Sequence, residues 1–427
     1  METRERKERL YASAVAALQP LKPGDIAGSF FVPGRIEVLG KHTDYAGGRS
    51  LLAAVDRGFV VVAASRSDGV VRVTDAATGQ SVELDGATGA AQAPGWSTYP
   101  QTVVRRCALN FPGAAGGADI AFASDLPQAA GLSSSSALVV AMFLALDAVR
   151  GLSGTPEYSA AIGSTEDLAG YLGAVENGLS FGALAGDAGV GTMGGSEDHT
   201  AILCARPGRL VQYSYAPVRF EGDVPLPAGF CFAIGSSGVR AEKAGAALQS
   251  YNRLSTATRR LVELWRGPGA GDADTLADIV AGDGGGLRLR EIVHQHAPAE
   301  VNELLPRLAQ FAIESEDIVP AARAALALGD LPAFAEHVRR SQHHAEESLL
   351  NQIPETVALV RGALEHGAVA ASAFGAGFGG SVWALVSEDR ADEFLASWRA
   401  DYAAAFSEHG DAEFFVTPAS GPAERLD

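Results

Sequence analysis

The chain has few cysteines, a shortage of positive charge relative to negative, and no long apolar run, and each shortage closes off a class of function. Cys107, Cys204 and Cys231 are the only cysteines in 427 residues. They form no C-x-x-C pair and are too few for a disulfide framework, so they read as buried thiols in a reducing compartment. Lys and Arg total 33 against 51 Asp and Glu, a net charge of -18, which argues against nucleic acid as a partner because affinity for its backbone rests on basic surface. The most apolar run, Ala137 to Leu146, falls well short of the roughly 20 residues a membrane-spanning helix needs, so no membrane partner is expected. The opening residues, M-E-T-R-E-R-K-E-R-L, lack the apolar core of a signal peptide, and the expected location is cytoplasmic. An anionic substrate stays open, because charges further apart than about 10 Å are largely screened at 0.1 M salt.

Hydrophobic residues make up 47% and charged residues 20%, ordinary values for a folded globular protein. The length exceeds that of one hydrophobic core, so two domains of about 200 residues each are expected. The Pro- and Gly-containing segment from Pro207 to Gly229 holds the boundary, giving an N-terminal unit over 1–212 and a C-terminal unit over 213–427.

Arg4 to Leu18 reads as an opening helix stopped by Pro20 and Pro23. Phe59 to Ser65 and Val70 to Thr74 are β-branched runs separated by Asp68-Gly69, the composition of a hairpin. Tyr99 to Asn110 has helical spacing between Gly/Ala/Pro-rich loops at 86–95 and 113–118, and Ala118 to Ala123 resumes as a strand. Ser196 to Leu203 is strand-like. In the second unit Phe230 to Ile234 is a strand, helices follow, Gly267 to Gly286 reads as a surface insertion, and Ala368 to Val386 supplies two apolar strands. No internal repeat is present.

Three stretches carry chemistry. Pro33 to Gly48 is a polar, turn-rich segment with Arg35, Lys41, His42, Asp44 and Tyr45, clamped between apolar runs; function concentrates on such loops. Gly131-Leu132-Ser133-Ser134-Ser135-Ser136 precedes a strongly apolar helix ended by Gly151. A helix N-terminus presents unpaired N–H groups and partial positive charge, so this loop can hold phosphate, although serine capping alone would also explain it. Phe374 to Gly380 contains a G-x-G-x-x-G match, but Ser381 to Val386 reads as a strand where a dinucleotide fingerprint needs a helix. His294, His296, His343 and His344 include no i,i+4 pair and read as surface or helix-packing residues.

Taken together, the three stretches resemble the GHMP small-molecule kinases and, within them, the galactokinases. Pro33 to Gly48 resembles the galactokinase signature, Pro127 to Leu138 the phosphate-loop motif, and Ala373 to Gly380 the C-terminal glycine motif. The resemblance implies two α+β domains with the active site in the cleft between them. It also implies an ATP-dependent sugar kinase that phosphorylates the anomeric hydroxyl of galactose or a related sugar. Its cofactors would be ATP and Mg²⁺, its partners small molecules, and its state a monomer or weak oligomer. Gly194-Gly195-Ser196-Glu197-Asp198-His199 resembles the catalytic aspartate turn, so Asp198 is implied as base with Arg35 beside it. Glu176, in Ala174-Val175-Glu176-Asn177, and Ser135 are implied as the Mg²⁺ ligands. Gly131, Leu132, Ser133, Ser134, Ser135 and Ser136 would hold the nucleotide phosphates, and Lys41, His42, Asp44, Gly195 and Tyr251 would face the sugar.

Three positions depart from the family pattern. Glu37 stands in place of an asparagine, Lys41 in place of a sugar-binding glutamate, and Ala129 in place of a phosphate-loop glycine. The segment between Glu176 and Asp198 also carries extra residues. Lysine donates where glutamate accepts, so Lys41 suits either a uronic acid such as galacturonate or an ion pair with Glu37 that leaves a neutral sugar pocket. The non-enzymatic alternative is a galactokinase-like sugar sensor, which would have no need of a base at Asp198.

Overall fold

The computed structural model describes residues 2–18, 25–90, 95–127, 130–239, 245–267, 271–375 and 377–427. Pro20, Pro23 and Ala129 lie outside them, as do parts of the 86–95 loop and of the 267–286 segment. The strands are β1 (Ile26–Leu39), β2 (Arg49–Arg66), β3 (Val70–Asp75), β4 (Ser81–Asp85), β5 (Gly117–Ser124), β6 (Arg209–Ser214), β7 (Arg219–Pro225), β8 (Phe230–Ser236), β9 (Ala370–Ala373), β10 (Ser381–Ser387), β11 (Phe414–Thr417) and β12 (Glu424–Arg425). Helices α1 (Glu2–Ala17), α2 (Thr98–Asn110), α3 (Ser134–Arg150), α4 (Pro156–Ala161), α5 (Thr165–Asn177) and α6 (Glu197–Cys204) accompany the first group of strands. Then come α7 (Gly245–Arg266), α8 (Leu276–Ala281), α9 (Gly285–His296), α10 (Val301–Ile313), α11 (Val319–Ala327), α12 (Leu331–His344), α13 (Pro354–Glu365) and α14 (Ala391–Ala405).

A first sheet runs β12-β1-β2-β5-β3-β4, with β6 added to the start of β2 and β7 to β6; a second, antiparallel sheet runs β11-β8-β10-β9. The expected division after residue 212 falls inside β6, and the change of sheet comes between Pro225 and Phe230. Alternation along β2 explains the layering, since successive side chains of a strand point to opposite faces. Val61 and Ala63 join the large core that holds α3, while Val62 packs with Ala121 and Ala123 against α1. The second sheet is likewise covered twice: Phe232, Ile234 and Trp383 share a core with Phe334 and Val338 of α12, and Ala233, Val382 and Ala384 share one with Leu359 and Trp398.

Three local expectations fail for physical reasons. β2 and β3 do not form a hairpin about Asp68-Gly69, because β5 inserts between them, antiparallel to β2 and parallel to β3. Residues 197–204 are a helix, not a strand. Thr200 to Leu203 are four consecutive buried residues, and such a run has no period by which to tell a helix from a buried strand. The 267–286 segment is not purely a surface insertion either. Its α8 places Leu276 and Ile279 in a helical core with Leu261, Leu289 and Phe311, each such side chain contributing about 1.5–3 kcal/mol of burial.

Candidate active site

Arg35 lies on β1 just past a register shift between Pro33 and Arg35. Its Nε donates to Asp198 Oδ1 at 2.7 Å, with Nη2 also 2.7 Å from that oxygen, and its Nη1 donates to the carbonyl of Gly131 at 2.7 Å. The backbone N–H of Arg35 adds a bond to the Leu132 carbonyl at 3.2 Å. One side chain therefore fixes the aspartate at the start of α6 to the loop at the start of α3. Burial disfavours the Arg35 charge, but Asp198, Glu197 and Glu37 around it outweigh that and raise its pKa. Asp198 keeps 19% of its side chain accessible beside an arginine that keeps 7%.

Ser136, in the first turn of α3, points at the same place. Its hydroxyl lies 2.8 Å from Glu176 Oε2 and 3.2 Å from Asp198 Oδ2, and His199 Nε2 is 3.0 Å from Glu176 Oε2. The hydroxyl that meets Glu176 thus belongs to Ser136, not to Ser135, which is half-buried one residue earlier. Ser133, the residue before the helix, adopts a left-handed conformation (φ 60°) and makes no side-chain cap. The hydroxyl oxygens of Ser133 and Ser134 are out of solvent with no hydrogen-bond partner. Together with the unpaired amides of a first helical turn, these hydroxyls fit phosphate oxygens. Among the described residues no group of three His, Cys, Asp or Glu side chains could hold a metal. One carboxylate and one serine hydroxyl are nonetheless a fitting donor set for Mg²⁺, which takes its other ligands from phosphate and water.

The third stretch backs onto this loop. Ser381 Oγ donates to the Ala130 carbonyl at 2.6 Å, and the Arg35 guanidinium is 5.8 Å from the centre of the Phe374 ring. β10 follows the glycines, so no dinucleotide fingerprint is formed.

The remainder of Pro33 to Gly48 makes a second cluster. Asp44 accepts the backbone N–H of Tyr45 at 2.8 Å and that of Glu197 at 3.2 Å. Burial and the neighbouring Asp198 raise its pKa, and the amides of Glu197, Tyr45 and Gly195 oppose that rise. Gly195 is a spatial necessity, since a Cβ there would come within 2.5 Å of Asp44 Oδ2. His42, at φ 58°, is held in a conformation rare for a non-glycine residue. Its carbonyl accepts from Arg307 at 2.5 Å, and its Nδ1 is 2.9 Å from the Tyr45 hydroxyl. Arg307 also donates to that hydroxyl at 3.4 Å. The Tyr45 hydroxyl thus accepts from Arg307 and also meets the side chains of His42 and Thr258. The Tyr251 ring, on α7, is centred 5.8 Å from that of His42.

The lengthened segment before Asp198 is pinned by two asparagines. Asn177 Oδ1 accepts from Gly194 N at 2.7 Å and its amide donates to the Gly195 carbonyl at 3.1 Å, while Asn252 bonds Met193 N at 3.0 Å and the Gly191 carbonyl at 3.1 Å.

Lys41 departs from its expected place against the sugar. It is wholly buried, its Nζ donating to Ser372 Oγ on β9 at 2.8 Å and lying 4.0 Å from Glu37 Oε1. A buried ammonium needs acceptors, and it finds them behind the loop. Sequence reasoning missed Glu197, whose carboxyl accepts from Ser50 and hydrogen-bonds Glu37. It also missed Arg307, Gln310 and Glu314, which tie down the backbone of Gly40 to His42. Arg307 and Gln310 share a helix face by their spacing, the one local signal available, and such a face ordinarily reads as solvated.

Against known proteins, the GHMP kinases N terminal domain model matches residues 99–180 and the GHMP kinases C terminal model residues 322–404. Both matches are to GHMP-type kinases. The galactokinase galactose-binding signature matches residues 23–65. The galactokinase of Chloroflexus aggregans is 31% identical over 378 residues, 87% of each chain, and that of Bacillus subtilis 25% identical over 372 residues, 86% of each. The crystal structure of Lactococcus lactis galactokinase complexed with galactose superposes with a TM-score of 0.75 at 22% identity, covering 93% of this chain and 95% of that one. A mevalonate kinase from Methanococcus jannaschii shares the fold at a TM-score of 0.54. The chain belongs to the galactokinase family of the GHMP kinases.

Proposed function

We propose that the protein is an ATP-dependent galactokinase that transfers the γ-phosphoryl group to the C1 hydroxyl of galactose or a close neutral relative. The observation that carries this reading is the convergence of Arg35, Asp198, Ser136 and Glu176 at the N-terminus of α3. Phosphoryl transfer asks the protein for position and electrostatics: an acceptor for the hydroxyl proton and cations or dipoles for the phosphate charge. Asp198 is the proton acceptor, held ionised and oriented by Arg35. The first turn of α3 supplies amides and the Ser133 and Ser134 hydroxyls to the phosphates. Glu176, with Ser136 and its neighbour Ser135, would hold Mg²⁺, which when bound neutralises the phosphate charge.

His42, Asp44, Gly195 and Tyr251 form the sugar side, with Asp44 accepting hydroxyl hydrogen bonds. The burial of Lys41 against Ser372 and Glu37 supports a neutral sugar over a uronic acid. ADP release measured over neutral hexoses and uronic acids tests the assignment. Turnover on galactose and none on galacturonate is the expected outcome. Tight galactose binding without ADP release on any sugar would make the protein a sensor instead.

A further inference from the structure

Side chains two apart on a strand share a face, so Arg35 and Glu37 of β1 both look toward the start of α6, where Glu197 and Asp198 follow one another. The two strand residues meet the two helix residues as a pair of rungs. Arg35 pairs with Asp198, and the Glu37 carboxyl hydrogen-bonds that of Glu197. The first rung joins opposite charges. The second joins two acids, 2% and 5% exposed.

We infer that Glu37 and Glu197 hold one proton between them, and that this carboxyl–carboxylate pair positions Asp198 for catalysis. Two ionised carboxylates cannot hydrogen-bond each other, and like charges at contact distance are not both retained in a buried site. Charge counting gives the same answer. Arg35 is committed to Asp198 and to the Gly131 carbonyl, and Lys41 is the cation beside Glu37. One cation per rung balances one negative charge per rung.

The groups facing the pair leave no room for a second charge. Glu37 faces Arg35, Lys41 and Glu314, and its carboxyl sits so close to Gly375 that a Cβ there would lie 1.7 Å from Oε2. Glu197 faces Arg35, Asp44 and Asp198, accepts from Ser50, and lies near Tyr215. Burial first, and then the surrounding carboxyls, push Glu197 well above its ordinary value with Arg35 opposing, and burial likewise raises Glu37 with Lys41 and Arg35 opposing. The two carboxyls share that one proton. Losing that proton would put a second anion beside Arg35, in competition with Asp198 for the guanidinium. Turnover then falls on the alkaline side as the pair ionises.

The positioning role rests on Asp198 being the base; the shared proton does not, and two measurements separate them. In ligand-free protein labelled with ¹³C-glutamate, infrared spectra at neutral pH should show the carbonyl stretch of a protonated glutamic acid, and E197Q should lose it. Absence of that band in the parent protein overturns the shared proton, whether or not the protein turns over galactose. For kinetics, E197A should lose at least about tenfold in kcat, while E197Q, whose amide donates to Glu37 but cannot titrate, should restore most of it and lose the alkaline fall. A parent-like alkaline fall in E197Q, or equal losses in both variants, overturns the positioning role.

Discussion

Two cations of the Pro33–Gly48 stretch, Arg35 and Lys41, meet opposite fates. Arg35 pairs with a carboxylate that keeps 19% of its side chain accessible, whereas Lys41 and Glu37 keep 0% and 3%. Arg35 meets its partner at 2.7 Å and also reaches the phosphate-loop carbonyl, whereas Lys41 stands 4.0 Å from its carboxylate and donates to a serine of the other sheet. Under the proposed function Asp198 meets substrate, and its ion pair keeps that access to solvent. A charge that only balances another can be sealed, and there its cost is set by whether the partner stays.

That contrast is broken most sharply at Asp198. D198N keeps size and hydrogen bonding but removes the proton acceptor, so kcat should fall by about 10²–10⁴-fold. Galactose binding by calorimetry should change little, because Asp44, His42 and Tyr251 are untouched. An unaltered rate would remove Asp198 from the chemistry.

At the sealed end the expected effect is on stability. K41M leaves Glu37 without its cation, and removing one member of a buried pair typically costs about 3–5 kcal/mol. The pair's second carboxyl provides an escape, since protonating Glu37 as well neutralises the site. Burial already raises its folded-state pKa above the ordinary value, and losing Lys41, which opposes that rise, raises it further. For an acid so shifted, the folded state binds more protons than the unfolded state, and stability falls as pH rises toward the folded value. Urea midpoints of K41M and parent should therefore lie close at about pH 5 and separate by about pH 8. A gap independent of pH would mean that lost packing, not charge, is the cause.

This same contrast governs how much could be read in advance. The charges proposed for catalysis sit in short, contiguous segments, and Arg35, His42, Asp44, Ser133 to Ser136, Glu176 and Asp198 stand out in the sequence through the resemblance of those segments to galactokinase motifs. The sealed charges draw partners from far along the chain: Lys41 from Ser372, and Gly40 from Glu314. No local pattern marks a helical glutamate or arginine as buried when its partner lies some 270 residues away, as for Arg307 and the His42 carbonyl, 265 residues apart. The fold errors have the same origin. β5 enters between β2 and β3 from 42 residues beyond the end of β3, outside the reach of the turn chemistry at Asp68-Gly69. The burial of four consecutive residues of α6, Thr200 to Leu203, leaves no exposed position to mark it as a helix. Lys41 sits between the two cases, because its i,i+4 partner Glu37 is visible in the sequence while the serine that accepts its hydrogen bond is not.

The smallest expected effect tests whether the phosphate loop follows the rule drawn from Asp198. Ser134 Oγ is out of solvent without a hydrogen-bond partner, and an unsatisfied buried hydroxyl costs about 1–3 kcal/mol. S134A removes that cost, so the ligand-free protein should be as stable as the parent or up to about 1 kcal/mol more stable. If the hydroxyl is kept for a phosphate oxygen, the same variant should lose affinity for ATP by about five- to tenfold, the worth of one hydrogen bond to a charged group, and gain less thermal protection from added nucleotide. Stability and binding would then move in opposite directions. A variant that loses stability and keeps its KM for ATP would show instead that Ser134 supports the helix terminus and that phosphate is held by the backbone amides alone.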